Sequence, residues 1–459
     1  MEKMHRRDFL KRVAGGTCAL ASGVALPATI GGCGREAPAK VAVATPAGFS
    51  WTDHPLVGKV FVSQNSVFST TFDATTRKFV GGATYYVDVE RGSDNNAGTS
   101  EDSALQSIAA ACDKPDAGTV RVKGYGIDKP YYRGRGFNNR TQSRPINIIG
   151  YGPLLPYVTT HDVLTFAPCP GKANVYQTTR PSVTECMDMA GGAPGTRMTK
   201  TTSLEACEAS PGSWYQSGTA LFVHAINSRN LSSNGASRIW ALLNVPNFKS
   251  VGDHTSYLEN LVLYGGIDCV NASGSTPSGG TLVLVNVETG MSEAGGGNNI
   301  SARGVDAVLA SCRTTRSGGD GHNYHAYNGK VPNVIEIDCV VTDCNRSRTD
   351  QNSTAHDGAR VIRVGGTYRD AGAANVADIN GTDGEGTESW NLGCSAFGAG
   401  PGYANWQCGS IDNAGAAPKM WLDSCDAGKA EYSTGSFGGG LIYSHNSSLE
   451  RNQSKVTPY

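Results

Sequence analysis

The sequence predicts an all-β fold in the form of a parallel β-helix, and three observations support this prediction. Glycine accounts for 59 of the 459 residues, well above its usual share of about 7%. Short apolar segments recur at a nearly constant spacing in the second half of the chain. Each is too short to be a helix and is followed by Gly, Asn, Ser or Asp. Strands at a fixed period with turn residues between them indicate coils that stack on one another.

Composition and charge narrow the classes of function. The 39 Lys and Arg residues nearly balance the 40 Asp and Glu residues, which argues against a nucleic-acid partner. After residue 40, no stretch approaches the roughly 18 apolar residues of a membrane-spanning helix. Length alone would suggest about three domains, but long β architectures form one unit. We therefore expect a single Gly-rich β domain.

The first residues have the features of an export signal. Arg6 and Arg7 open a twin-arginine signature that precedes a stretch rich in Gly and Ala, residues 13–30. Such segments are targeting sequences and are excluded from the fold. Cys33 follows in a lipobox-like sequence, in which this cysteine would be lipidated. We expect export by the twin-arginine route to the periplasm, the outer membrane or the cell surface, with Cys33 as a candidate membrane anchor.

The chain divides into three predicted segments. Residues 1–33 form the export signal with its lipobox, and residues 34–82 form a tether and an N-terminal segment that begins with an Ala/Pro-rich run. Residues 83–459 form one β-helix domain. A Pro-, Gly- and Thr-rich insertion interrupts this domain near residues 167–215.

Cysteines occupy one column of the repeat. When the apolar segments are aligned on their alternation, the same position falls on Val287, Cys312, Cys339, Gly366, Cys394, Cys425 and His445. Equivalent residues of successive coils stack about 4.8 Å apart, and an inward column suits free cysteine, which behaves as a small hydrophobe. We therefore expect the four cysteines to be a buried stack rather than disulfides or zinc ligands.

The insertion carries three further cysteines, Cys169, Cys186 and Cys207. In an exported protein, cysteines in a loop-rich segment with little apolar periodicity favour a disulfide. We expect one among these three, although the sequence leaves the pairing open.

The N-terminal half resembles a known family. Over residues 83–152 the chain reads YYVD, GSDNNAGTSEDSALQSIAAA, GTVRVKGYG and INIIGYG in succession. This succession resembles the opening of pectate-lyase-like right-handed parallel β-helix proteins. The resemblance implies a right-handed coil whose open end is capped by a short helix, here near residues 103–112. It implies less about activity, because this fold hosts lyases, hydrolases, epimerases and binding modules.

Three of the nine histidines lie in the most regular part of the repeat, at His322, His325 and His356. Counted from the member of the column in their own coil, His322 and His325 come 10 and 13 residues later. In the next two coils, Asp350 and Asn352 come 11 and 13 residues later, and Asn375 and Asp378 come 9 and 12 residues later. Equal phase places residues on the same face, so we expect one polar stripe over three coils. His356 comes later in its own coil, so its proximity is plausible but not implied by phase.

The residue types in this stripe suit β-elimination on a uronic-acid polysaccharide. Removal of the C5 proton requires a base, a group that neutralises the carboxylate, and an acid for the leaving oxygen. A neutral His suits the base and a Tyr suits the acid. The predicted catalytic residues are His322, Tyr324, His325, His356 and Arg360. The predicted substrate-binding residues are Asp320, Asn323, Asn352, Asp357 and Arg363. Which residue is the base and which is the acid stays open.

A calcium site is a further candidate. Residues 378–385 are rich in oxygen ligands, and Asp378 and Asp383 could bind Ca²⁺, which takes carboxylates and carbonyls. The segment lacks EF-hand spacing, which favours an acidic solvated turn over a calcium site. The sequence predicts no other cofactor.

An exported lyase acting on an acidic polysaccharide is thus the leading hypothesis, with three alternatives. A glycoside hydrolase would need two carboxylates about 6.5–9.5 Å apart, for example Asp320 with Asp338, Asp350 or Asp357. A C5-epimerase would share the proton abstraction. A noncatalytic glycan-binding surface protein would use the same polar residues only to cap its turns.

Overall fold

Parallel strands pair coil upon coil along the chain, which confirms the predicted all-β parallel β-helix, here with about 11 coils. A computed structural model describes residues 40–192, 195–232, 238–293, 295–345, 349–380, 386–411 and 416–459. The predicted export signal, Cys33 and Asp383 lie outside these ranges. No helix in the described part of the chain is long and apolar enough to cross a membrane.

Each coil contributes strands to three sheets, which we call A, B and C. Sheet A contains Ala83–Val87, Ala117–Lys123, Ile146–Tyr151, the first halves of Thr255–Tyr264 and Gly280–Gly290, then Val305–Ala310, Asn333–Ile337, Arg360–Val364, Glu388–Leu392, Lys419–Asp423, Leu441–His445 and Val456–Pro458. Sheet B contains Gly126–Tyr131, Pro156–Thr159, the second halves of the two long strands, then Arg313–Thr315, Val340–Thr342, Thr367–Arg369, Ser395–Phe397 and Asp426–Gly428. Sheet C contains Thr141–Gln142, Phe248–Val251, Val270–Ser273, Ile300–Arg303, His322–His325, Ser353–His356, Val376–Asn380, Ala404–Ser410 and Tyr432–Phe437.

The cysteine column lies in the interior of the coil, as predicted. Cys312, Cys339, Cys394 and Cys425 are free thiols and are at most 1% exposed. Gly366 takes one place in this column because a Cβ there would lie 2.6 Å from the Tyr368 hydroxyl.

The last member of the predicted column is wrong. The backbone N–H of Cys425 donates to Ser447 Oγ at 2.9 Å, and the N–H of Ser448 donates to the Cys425 carbonyl. His445 pairs with Asp423, two residues before the column. The final coil therefore continues the column at Ser447, because strand register and not residue type sets the phase.

A short helix, α1 (Ile108–Asp113), lies in the first coil. It starts later than residue 103 because Ser107 is its N-cap, with a side chain that accepts from the Ala110 N–H. Ile108, Ala111 and Cys112 are buried against the interior core of the first coils. The helix therefore covers apolar strand residues at the start of the β-helix, as the family resemblance implied.

The segment before the β-helix packs on the outer face of sheet A. Its strands Val41–Ala42, Val60–Val62 and Phe68–Thr70 form a small antiparallel sheet, followed by the 3₁₀ turn Ala74–Arg77. Phe49 lies against the rings of Trp390 and Trp421, with centroids 6.4 and 5.7 Å away. From Lys40 onward, this segment is therefore packed as part of the domain and is not a free tether.

The insertion is larger than the sequence predicted, because it runs from the end of Pro156–Thr159 to the start of Phe248–Val251. It contains the helix α2 (Leu204–Ala209) and a 3₁₀ turn, Ile226–Ser228. Its strands are Ala167–Pro168, Tyr176–Thr179, Val183–Asp188, Thr196–Arg197, Thr199–Lys200, Ser213–Ser217, Ala220–His224 and Ile239–Leu243.

The disulfide expected in the insertion is not formed. Cys169, Cys186 and Cys207 are all free and buried. Cys186 belongs to one apolar cluster of the insertion, whereas Cys169 and Cys207 belong to another. Burial raises the pKa of all three thiols. They pack as small apolar side chains.

Candidate active site

The strand His322–His325 sends its side chains alternately into and out of the coil. His322 and Tyr324 are completely buried in the interior. His325 points the other way, and its side chain is 29% exposed. The neighbouring residues Tyr324 and His325 therefore lie in two different environments, the interior of the coil and its outer face.

The interior residues form a closed cluster around Glu336, which we call the lumen network. Tyr324 and Tyr368 donate their hydroxyls to the Glu336 carboxylate at 2.8 and 2.6 Å. His322 Nδ1 lies 3.1 Å from the same carboxylate, and His322 Nε2 lies 3.0 Å from Thr314 Oγ1. None of these side chains is more than 1% exposed.

Arg363 extends the lumen network to a second carboxylate. Its guanidinium lies 3.7 Å from Glu336 and 3.7 Å from Asp378, and it donates to Ser353 Oγ at 3.0 and 3.2 Å. Asp378 also accepts from the Ser389 hydroxyl. The network therefore pairs one guanidinium with two carboxylates in the interior of the coil.

Burial and charge act in opposite directions in the lumen network. Burial alone would raise the pKa of Glu336, but His322 and Arg363 outweigh it and hold this pKa well below its usual range. Burial raises the pKa of Asp378 to about 6 against the opposing charge of Arg363. Buried ions require such compensation, because an unpaired charge in an apolar interior is costly.

The lumen network corrects four of the predicted roles. His322 and Tyr324 cannot act on a polysaccharide, Arg363 cannot bind one, and Asp378 cannot offer oxygen ligands to a solvent-borne Ca²⁺, because all four are completely buried. The described residues hold no group of His, Cys, Asp or Glu side chains arranged for a metal ion.

The outward residues of sheet C form what we call the outer ladder. Arg303 and His325 are in register on adjacent strands, and His356 follows one coil later. The His325 and His356 rings stack with centroids 4.2 Å apart and planes 4° from parallel. Asp357 Oδ2 lies 2.9 Å from His325 Nδ1. The structure therefore brings His325, His356 and Asp357 together and adds Arg303 to them.

His356 has a different environment from His325. Its Nε2 lies 2.9 Å from Thr354 Oγ1. Burial, and then the charge of His325, lower the pKa of His356 to about 3 against the opposing charge of Asp357. His356 is thus a neutral ring against which His325 stacks.

Three predicted substrate-binding residues stabilise the turn before sheet C. Asn352 donates to Asn375 Oδ1 at 2.6 Å, one step in a ladder of stacked asparagines. Asp320 accepts from the Gln351 N–H at 2.8 Å and from Asn323 Nδ2 at 2.7 Å. Burial raises the pKa of Asp320 to about 6. Asn352 is completely buried and does not reach a ligand, whereas Asn323 faces outward beside the outer ladder.

Two buried polar atoms beside the outer ladder lack a partner. Asn323 Oδ1 and Ser301 Oγ have no hydrogen bond among the described residues. They occupy equivalent positions on adjacent strands, each two residues before a ladder member. Buried polar atoms are normally satisfied, so these two mark a place on the outer face where hydrogen-bonding capacity is unused.

Arg360 lies apart from the outer ladder. It begins a strand of sheet A and donates from Nε to Ser50 Oγ at 2.9 Å. The next strand places Glu388 beside it, and Glu388 accepts from the Ser50 N–H at 2.7 Å. Its predicted catalytic role does not fit this position, because Arg360 holds the N-terminal segment.

Sequence reasoning missed Arg303 and Tyr327. Tyr327 follows His325 by two residues, and its side chain is 46% exposed. A Cβ at Gly304 would lie 3.1 Å from Tyr327 Cβ, so the glycine after Arg303 allows this tyrosine to lie beside the outer ladder. Counting 22 residues back from His325 would have found Arg303, but the repeat length varies too much to fix this step without the strand register.

No family model matches the chain. No curated protein matches it. Three similar solved structures are XylC in complex with xylose (10% identity over 82% of this chain and 70% of that one, TM-score 0.35), a glycoside hydrolase (7%, 80% and 96%, 0.41) and a GH136 lacto-N-biosidase from Eubacterium ramulus (11%, 82% and 68%, 0.32). This similarity is too low to bear on the site, and it does not establish membership of the pectate-lyase-like family.

Proposed function

We propose that the protein is a polysaccharide lyase that cleaves a uronic-acid polysaccharide by β-elimination at the outer ladder. The observation that supports this most directly is the hydrogen bond between Asp357 and His325, with Arg303 in register on the preceding coil. These groups are on the outer face of sheet C, and the His325 and Asp357 side chains are 29% and 27% exposed.

His325 is the proposed base. A carboxylate that accepts from Nδ1–H fixes the imidazole tautomer and leaves the lone pair on Nε2. The neutral His356 ring stacked on it holds the ring plane in place without adding a competing charge. Such a base takes the C5 proton of a uronate bound against sheet C.

Arg303 is the proposed partner of the substrate carboxylate. Neighbouring strands lie about 4.8 Å apart, so a uronate whose C5–H faces His325 presents its carboxylate to the adjacent coil. A guanidinium matches a carboxylate in two parallel hydrogen bonds. Arg303 thereby stabilises the negative charge that develops as the proton leaves.

Tyr327 is the proposed acid for the leaving oxygen. It is exposed and lies beside Gly304, at the same edge of the outer ladder as Arg303. The proposal also includes export by the twin-arginine route, with Cys33 as the lipid anchor. Export would bring the protein to a compartment where it meets such a polysaccharide.

The test follows the ultraviolet absorbance of the C4–C5 double bond on a panel of pectate, alginate and glucuronan. We expect absorbance with at least one polymer and a loss of about 100-fold or more in His325→Ala, the usual range for removal of a general base. His445→Ala is the matched control, because His445 Nδ1 also pairs with an aspartate, Asp423, at 3.1 Å.

The proposal fails if every polyuronate leaves the absorbance flat, or if His325→Ala and His445→Ala lose activity equally. Thermal unfolding of both variants distinguishes a lost base from a lost fold. The midpoint should stay close to wild type in each, since both side chains lie at the surface.

One observation favours a glycoside hydrolase as the second candidate. Burial, and then the negative charge of Asp350, raise the pKa of Asp320 to about 6 against the hydrogen bonds it accepts, which suits a general acid. A hydrolase would release reducing ends without the absorbance of a double bond. Asp320→Asn would then abolish activity, whereas His325→Ala would not.

A further inference from the structure

A cleft of about 470 Å³ lies between the first coils of the β-helix and the insertion. Its walls come from residues 89–90, 106, 127–130, 132 and 135 on the β-helix side and from residues 161–164, 189 and 238–240 on the insertion side. This volume lies within the range of about 300–1,000 Å³ that is usual for small-molecule sites. None of the predicted catalytic or binding residues lines this cleft.

Three aromatic rings run along the cleft. His161 and Trp240 stack with centroids 4.7 Å apart and planes 10° from parallel, and Tyr132 lies 6.3 Å from His161. Burial lowers the pKa of His161 to about 3, so this part of the wall carries no charge at neutral pH. Leu164 and Met189 add apolar surface. His161 and Trp240 are 4% and 6% exposed and pack face to face on each other, so the half-buried Tyr132 ring is the aromatic face of this wall that a ligand can reach.

Paired opposite charges line the rim. Asp128 pairs with Arg238 at 2.5 Å, and Glu90 pairs with Lys129 at 2.8 Å. The Asp128 and Arg238 side chains are 62% and 43% exposed, so both face solvent. A hydroxyl donates one hydrogen bond and accepts others, so a carboxylate beside a cation offers both partners to each hydroxyl of a sugar.

The charges that line the cleft balance. Three acidic residues, Glu90, Asp128 and Asp162, face three basic residues, Lys129, Arg135 and Arg238. Asp162 is already paired with Arg133 and Arg180, which lie outside the lining. Each basic residue of the lining also has an acidic partner: Lys129 with Glu90, Arg238 with Asp128 and Arg135 with Asp94. The lining of the cleft therefore offers no unpaired cation with which to attract a polyanion.

We infer that this cleft is a binding site for a neutral oligosaccharide. The Tyr132 ring takes the apolar face of one sugar ring, and the Asp128–Arg238 and Glu90–Lys129 pairs bind its hydroxyls. The site differs in chemistry from the outer ladder, where an arginine and a histidine face solvent. It does not depend on what reaction occurs there.

The test is calorimetric titration of the full chain with neutral tetrasaccharides of glucose, xylose, mannose and galactose, and with tetragalacturonate. We expect at least one neutral tetrasaccharide to bind. Loss of the ring contact in Tyr132→Ala, or of the carboxylate in Asp128→Asn, should weaken that binding about tenfold. Glu205→Gln is the matched control, because Glu205 is an exposed carboxylate paired with Lys172 elsewhere on the insertion.

Binding of a neutral tetrasaccharide that both cleft variants weaken and the control retains supports the site. Binding of tetragalacturonate alone overturns it, as does the absence of binding by all four neutral sugars. Neutral-sugar binding that Tyr132→Ala and Asp128→Asn leave intact also overturns it. Because the measurement needs no turnover, it stands whether or not the lyase proposal holds.

Discussion

The lumen network and the outer ladder use similar residue types on opposite sides of the same strands. His322 faces Glu336 inside the coil, and His325 faces Asp357 outside it, at 3.1 and 2.9 Å. The interior pair is sealed from solvent, whereas the outer pair is about one quarter exposed. The same pairing therefore has two different effects: inside it balances buried charge, and outside it orients an imidazole that is exposed to solvent.

The difference predicts that variants will separate into two groups. Substitutions in the lumen network should lower the free energy of unfolding, because each leaves a desolvated group without its partner. Substitutions in the outer ladder should lower activity and leave stability nearly unchanged, because exposed ion pairs contribute little. Three experiments test this division, taken here in order of decreasing expected effect.

The largest effect is expected from Arg363→Met. This change leaves Glu336 and Asp378 without the guanidinium that lies 3.7 Å from each. Breaking a buried pair on one side costs about 3–5 kcal/mol. Urea unfolding followed by circular dichroism should show a loss of this size.

Arg303→Met is the matched control, since Arg303 is exposed on the outer ladder. It should change the free energy of unfolding by less than about 0.5 kcal/mol. Equal losses in the two variants would show that the interior charge carries no special cost.

A smaller effect is expected from His322→Gln, compared with His325→Gln on the same strand. His322→Gln removes a buried group beside Glu336 and Thr314 and should cost about 1–3 kcal/mol, with activity retained at temperatures where the variant is folded. His325→Gln should lose activity and stay within about 0.5 kcal/mol of wild type. Urea unfolding measures the stability of each of the two variants, and the lyase assay measures the activity of each.

The reverse pattern, in which His322→Gln loses activity without losing stability, would place the chemistry in the interior and contradict the division.

The smallest effect is a pH dependence that Asp378 gives to stability. Its pKa in the folded protein is about 6, raised by burial from 3.8. Between these two values the folded state holds a proton that the unfolded state has released, so the free energy of unfolding falls as pH rises from about 4 to about 6. Asp378→Asn should remove this contribution, and its stability relative to wild type should rise across that window.

Unfolding at pH 4.5, 5.5 and 7 measures this difference, with the exposed Asp426→Asn as control. A difference between Asp378→Asn and wild type that stays constant over the three pH values would contradict the assignment.

The fold could be predicted from the sequence because the repeat is strong where both faces of a strand are packed. The period alone located Cys312, Cys339, Cys394 and Cys425, and strand register then needed correction only at His445. The redox state of the three insertion cysteines could not be predicted, because the sequence is the same whether these thiols are buried and free or two of them form a disulfide.

The site was only partly predictable, because alternation says which residues share a face but not which face is inside. In Asn333–Ile337 both Val334 and Ile335 are apolar and buried, Val334 in the interior core and Ile335 under the N-terminal segment. With apolar residues on both sides, the sequence gives no sign that Glu336 faces inward. The sequence pattern therefore places His322, Tyr324 and Arg363 on a solvent face, whereas in the structure all three are buried in the interior.

The packing of residues 40–82 on sheet A bears on the order in which the protein is built. Ser50 and its partner Glu388 are 338 residues apart. Residues 40–82 are therefore the first part of this domain to leave the ribosome but cannot dock until nearly the last coils have been synthesised. Closing so long a loop is slow. Until it closes, Ile335, Ile362 and Trp390 remain uncovered on one side of a nearly complete solenoid. This intermediate with an uncovered apolar face, rather than the fully folded protein, is the species most prone to self-association and to chaperone binding.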